Sequence, residues 1–142
     1  MLVSKSNRAV IARFSRGILF FLGIAPAALL GHHSFSAEYD EKQPVHVSGV
    51  VTKVEWANPH IWYYVDVKSP DGKVVNWAFS GGAPGQLMRR GITHDSIRAG
   101  MLVKVDGYRA KDGSNNAFGQ QVTFPDQQSV VTGTPAEQSA GK

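Results

Sequence analysis

The 142-residue chain contains no cysteine. Disulfide staples, thiolate nucleophiles, zinc fingers and iron–sulfur ligation are therefore excluded. Any metal must be held by imidazole, carboxylate, main chain or methionine. Acidic residues are missing from the first 31 positions, where Lys5, Arg8, Arg13 and Arg16 lie. The apolar run Ile18 to Leu30 has only 13 residues, interrupted by Gly23 and Pro26. A membrane-spanning helix needs roughly 20. No adjacent arginines occur in this stretch, which argues against twin-arginine export. No Ser-His-Asp arrangement, phosphate loop, His-Glu-x-x-His motif or internal repeat occurs, so no catalytic constellation is recognised.

What the N-terminus does contain is a basic segment followed by a short apolar one. Residues 1–31 read as a signal peptide, which implies a periplasmic or secreted protein. Cleavage after Gly31 would make His32 the first residue, followed by His33, Ser34 and Phe35. Cleavage at Ala25-Pro26-Ala27 fits the small-x-small rule better and would leave Ala28 to Gly31 ahead of the histidines. Removing 31 of 142 residues leaves 111, enough for one domain with its own core. Taking four basic residues from 15 leaves 11, equal to the 11 acidic ones, so the mature part is formally neutral. The basic stripe expected of a nucleic-acid binder is absent.

Four segments follow from the pattern. Residues 1–31 are the leader, 32–44 an extended arm, 45–125 a β domain, and 126–142 a polar, disordered tail. Val45, Val47 and Gly49 alternate with His46 and Ser48, and then the apolar phase slips. A slip at Gly49 predicts a bulge or coiled bend in a long first strand that serves two neighbours. Asn58-Pro59 ends it. In the second strand Ile61, Tyr63, Val65 and Val67 face inward, with Trp62 and Tyr64 outward. A three-residue loop with Gly72 in the left-handed position pairs Val67 with Val75, Val65 with Trp77 and Tyr63 with Phe79. All six then share one apolar face. Gln86 to Arg90 is a short helix stopped by Gly91, with Leu87 and Met88 placed to plug one end. Met101 to Tyr108 and Ala117 to Phe124 complete the set. The expected fold is all-β: a small five-stranded OB-like barrel with one short helix between strands 3 and 4.

Two groups could carry chemistry. All five histidines fall after the leader. A mature N-terminal His32 offers its α-amine and imidazole to one metal, a copper-type arrangement. His60, after Asn58-Pro59 at the expected barrel mouth, is the best partner from the body. His94 and His46 come next, and His33 points away if the arm is extended. A solvated terminal pair with no role is the competing reading. Trp62 and Tyr64 form the second group, on a face that OB folds use for oligosaccharide or oligonucleotide. Phe35 and Tyr39 of the arm are available to cover them. Arg89, Arg90 and Arg98 could meet an anion, though a solvated helix face explains them as well.

The chain resembles a family of small exported bacterial proteins known only as a domain of unknown function. The matching residues are His32-His33-Ser34-Phe35, Ala37 to Asp40, Gly49 to Trp56, Asn58-Pro59-His60, Asp71-Gly72 to Trp77, Leu87 to Gly91 and Gly107 to Ala110. Ser80-Gly81-Gly82 stands where that pattern often carries an acidic residue. The resemblance implies export and an all-β fold, and no established activity. More distantly, the strand plan resembles exported OB-fold stress proteins that bind small cationic or polar ligands. The functional expectation is an exported binding protein that holds copper through its N-terminal histidine. The alternative is a metal-free module that uses Trp62 and Tyr64 for a glycan, peptide or protein partner.

Overall fold

The computed structural model describes residues 35–133. The elements are α1 (Phe35–Glu38), β1 (Tyr39–Trp56), β2 (Ile61–Lys68), β3 (Val74–Ser80), α2 (Pro84–Arg89), β4 (Leu102–Ala110), β5 (Asn116–Thr123) and β6 (Ser129–Val131). The strands form one sheet in the order β3-β2-β1-β4-β5-β6, with a further parallel ladder between β3 and β5. All other ladders are antiparallel.

β1 serves two neighbours because it is long and bent. Its first part pairs with β4 from Pro44 to Val50, and its last part pairs with β2 from Val50 to Trp56. The bulge lies between Val51 and Lys53, at Thr52, not at the predicted Gly49. Gly49 has a different task. A Cβ there would stand 2.1 Å from the Asp66 carbonyl oxygen, so only glycine lets β1 and β2 approach this closely. The β2–β3 hairpin takes the expected register, with Val67 opposite Val75, Val65 opposite Trp77 and Tyr63 opposite Phe79. Gly72 has φ 85°, in the left-handed region that a three-residue loop requires.

The main core gathers Val45, Val51, Ile61, Tyr63, Val65, Phe79, Leu87, Ile92, Ile97, Val103, Val105, Ala117 and Val122. The helix between β3 and β4 is present, and Leu87 is its fully buried residue. Met88 is 53% exposed and plugs nothing, because two neighbouring positions on one helical turn cannot both face inward. Burial raises the Tyr63 hydroxyl pKa well above the usual phenol range.

Two departures follow from backbone pairing that side-chain pattern hides. The sheet has six strands, not five. β6 falls in the segment read as a disordered tail, and its residues Ser129, Val130 and Val131 pair with Thr123, Val122 and Gln121. Just beyond it, Thr132 is fully buried and donates its hydroxyl to the Gly119 carbonyl at 2.7 Å. The second departure is in the arm. β1 already begins at Tyr39, and Phe35–Glu38 form α1. Phe35, Tyr39, Ala110 and Phe118 make a second buried cluster, with Tyr108 packed on it. The α1 backbone is tied down by the Lys111 amide, which donates to Glu38 O at 2.9 Å.

Candidate functional site

His32 and His33 lie outside the described residues. His60 is half-buried, and its Nδ1–H donates to the Gly81 carbonyl at 3.0 Å. The peptide before it, Asn58-Pro59, is cis. His94 packs against Trp56 with ring centroids 4.5 Å apart and the planes tilted by 39°. His46 places Nδ1 2.5 Å from Asp106 Oδ1 in an exposed pair. Among the described residues no three His, Asp or Glu side chains come together to hold a metal. His60 and His94 therefore need ligands from elsewhere to complete such a site.

The aromatic pair is organised differently. Trp62 lies opposite Glu55 on β1 and Ser80 on β3. Tyr64 lies opposite Lys53 and Ala78. The Tyr64 hydroxyl donates to Glu55 Oε2 at 3.0 Å, and Lys53 Nζ bonds the other Glu55 oxygen. The same ammonium sits over the Tyr64 ring, 5.6 Å from its centroid. Hydrogen bonds from Lys53 and then Tyr64 hold the Glu55 carboxyl below its usual range. Desolvation, followed by the bond to Glu55, raises the Tyr64 hydroxyl. One row further along, Asn76 Nδ2 donates to Asp66 Oδ1 at 2.7 Å.

The described residues of the arm do not cover these aromatics. Phe35 packs edge-on against Phe118 at 5.0 Å and Tyr108 at 5.8 Å. Tyr39 reaches Ser80, with its hydroxyl 2.7 Å from Ser80 Oγ. Ser80 is the cross-strand neighbour of both Trp62 and Phe118. Trp62 and Phe118 are thus two strands apart, about 10 Å, and α1 occupies only the Phe118 side. Trp62, Tyr64, Glu55, Lys53, Asp66 and Asn76 make a continuous polar and aromatic face on β1, β2 and β3. Sequence reasoning found the two aromatics and missed the charged partners. The signal for them was the Lys53-x-Glu55 alternation on β1, which shares an outward phase only once the Thr52 bulge is placed.

Apolar hollows lie elsewhere. One, of about 440 Å³, is open and lined by Ser96, Met101, Leu102, Phe124, Pro125 and Asp126. A second, of about 240 Å³, shares Leu102, Phe124 and Pro125 with it. Leu102 is 55% exposed and its cross-strand partner Val50 is 42% exposed. Sequence pattern missed this groove because Leu102 continues an ordinary strand alternation.

Fold and site together define a small β-sheet protein with an aromatic and polar outer face and no metal cluster among the described residues. Residues 21–120 match a family described as "Family of unknown function (DUF6152)", and the chain belongs to that family. No curated protein and no solved structure matches it. Among the described residues no helix is long and apolar enough to cross a membrane.

Proposed function

We propose that this chain is an exported, OB-like β-barrel binding module whose ligand face is the outer surface of β1, β2 and β3 around Trp62 and Tyr64. The ring of ladders β1–β2–β3–β5–β4, closed by β3–β5, is the strand plan that supports the OB-like reading. The basic and then apolar leader supports export. The observation that carries the proposal is the Lys53–Glu55–Tyr64 network beside Trp62, left uncovered by α1. A carboxylate fixed by two donors holds its side chains in place before a ligand arrives, so less order is lost on binding. The test is a panel of saccharides and short peptides offered to the mature protein and to a Trp62→Ala/Tyr64→Ala variant. A panel member bound by the parent and lost in the folded variant supports the face. Equal binding by both would exclude it.

A second reading has one observation in its favour. Because the Gly81 carbonyl can only accept, His60 carries its proton on Nδ1 when neutral, which places the ring lone pair on Nε2. Phe35 packs against Tyr39, whose hydroxyl bonds Ser80, the residue before Gly81. Three peptide units join His32 to Phe35, a reach of about 11 Å at most. A copper ion held by the His32 amine, the His32 imidazole and His60 is therefore a candidate, with His33 and His94 as further donors. Intact mass of the exported protein decides whether His32 is the terminus. Copper titration of the His60→Ala variant follows, and unchanged affinity would remove His60 from the site.

A further inference from the structure

The charges on the Trp62 face narrow its ligand class. Among the described residues of this face the charged groups are Lys53, Lys68, Glu55 and Asp66. Lys53 is already bonded to Glu55, and Asp66 already accepts from Asn76. Two cations against two carboxylates leave no net charge, so phosphate, sulfate and uronate groups gain no net attraction. A single-stranded nucleic acid needs a positive groove beside its stacking platform, and that is missing here. A cationic ligand fares little better. The ring face that would hold a cation on Tyr64 is taken by Lys53.

What remains suits hydroxyl groups. The face alternates donors and acceptors: Lys53, Glu55, Asp66 and Asn76 each keep bonding capacity after their mutual contacts. Each hydroxyl of a sugar donates once and accepts twice, so it can satisfy such a mixed set. Trp62 supplies an aromatic plane for the C–H face of a ring. Ala78, between Tyr64 and Asn116 in the cross-strand row, leaves a low place beside the taller aromatics. In that row the Asn116 side-chain oxygen is buried and has no hydrogen-bond partner among the described residues.

Resting on the ligand face proposed above, we infer that its occupant is a neutral glycan with flat, equatorially substituted pyranose rings. One ring stacks on Trp62. Its hydroxyls are read by Glu55 and Lys53 on one side and by Asp66 and Asn76 on the other.

The experiment titrates the mature protein with three probes of different charge: cellotetraose, tetragalacturonate and a tri-lysine peptide. Amide and indole shifts locate each binding event. The expected result is cellotetraose binding with shifts at Trp62, Tyr64 and Glu55, weakened about tenfold by Trp62→Ala and less by Trp62→Phe. Glu55→Gln should weaken it as well. If tetragalacturonate or tri-lysine shifts this face and cellotetraose does not, the neutral-glycan inference is overturned while the ligand face stands. Shifts confined to the Leu102 and Phe124 groove would overturn both. Unchanged spectra with all three probes at millimolar concentration would also overturn the glycan inference.

Discussion

Substituting Gly119 by alanine tests how the far end of the chain is fastened to the core. A Cβ at this position would lie 1.7 Å from the Tyr63 hydroxyl oxygen and 2.7 Å from the ring carbon that bears it. Tyr63 cannot swing away. It is fully buried, stacked on Phe79 at 5.4 Å, and its hydroxyl is 3.2 Å from Thr132 Oγ1. Thr132 spends its proton on Gly119 O, so Tyr63 is the donor in that pair. The new methyl must displace the tyrosine and break its bond. Overpacking costs about 1–3 kcal/mol and the lost hydrogen bond about 1 kcal/mol. The expected destabilisation is about 2–4 kcal/mol, read by urea denaturation. Tyr63→Phe supplies the control. It removes the hydroxyl and should cost about 1 kcal/mol alone. In that background Gly119→Ala should cost at least about 1 kcal/mol less than in the parent, because the worst contact is gone. Strictly additive losses, or a Gly119→Ala loss below about 0.5 kcal/mol, would refute the reasoning.

Further outcomes follow from the same structure. Burial raises the Tyr63 pKa above its unfolded value, so the folded state holds that proton more tightly. Its contribution is complete below pH 10 and lost as pH rises past it; the urea midpoint should fall more steeply above pH 10 in the parent than in Tyr63→Phe, and parallel curves would contradict this. Glu55 is held below its ordinary range first by Lys53 and then by Tyr64. Its contribution is present above its unfolded pKa of 4.5 and lost as pH falls through the lowered value, so a carboxyl-carbon titration should show a midpoint that Lys53→Met moves upward. Phe35→Ala should free α1 at a cost of up to about 3 kcal/mol. Hydrogen exchange at the Lys111 amide should accelerate while that at Val105 stays slow. Truncation after Asp126 removes β6 and Thr132 and should destabilise the domain by more than about 2 kcal/mol, where removal of a disordered tail would cost nothing.

The legible parts of the fold were those written in side-chain alternation. Tyr63, Val65 and Val67 against Phe79, Trp77 and Val75 announce both the hairpin and its register, because a one-residue slip would turn Trp77 outward. Gly91, at φ 81°, marks the end of α2 in the same way. The missed parts rest on backbone bonds and distant partners. β6 uses Ser129, Val130 and Val131 amid Gln, Ser and Thr, a composition shared with disordered tails. Phe35 and Tyr39 read as loose arm residues until Phe118 and Tyr108, some seventy to eighty positions away, close over them. In the candidate site Trp62 and Tyr64 were visible as outward aromatics. Lys53 and Glu55 became their partners through a bulge that the sequence placed three residues too early. The histidine reading depends on His32 and His33, outside the described residues, and His94 packs against Trp56.

The claim that organises this account is that the protein meets its ligand on the outer face of β1, β2 and β3. An amide and indole shift map of the mature protein, recorded against a mixed saccharide and peptide panel, tests it most directly. The account expects shifts that cluster at Lys53, Glu55, Trp62, Tyr64 and Asn76. Shifts that cluster instead at Leu102, Phe124 and Asp126, with the Trp62 indole unmoved, would contradict it.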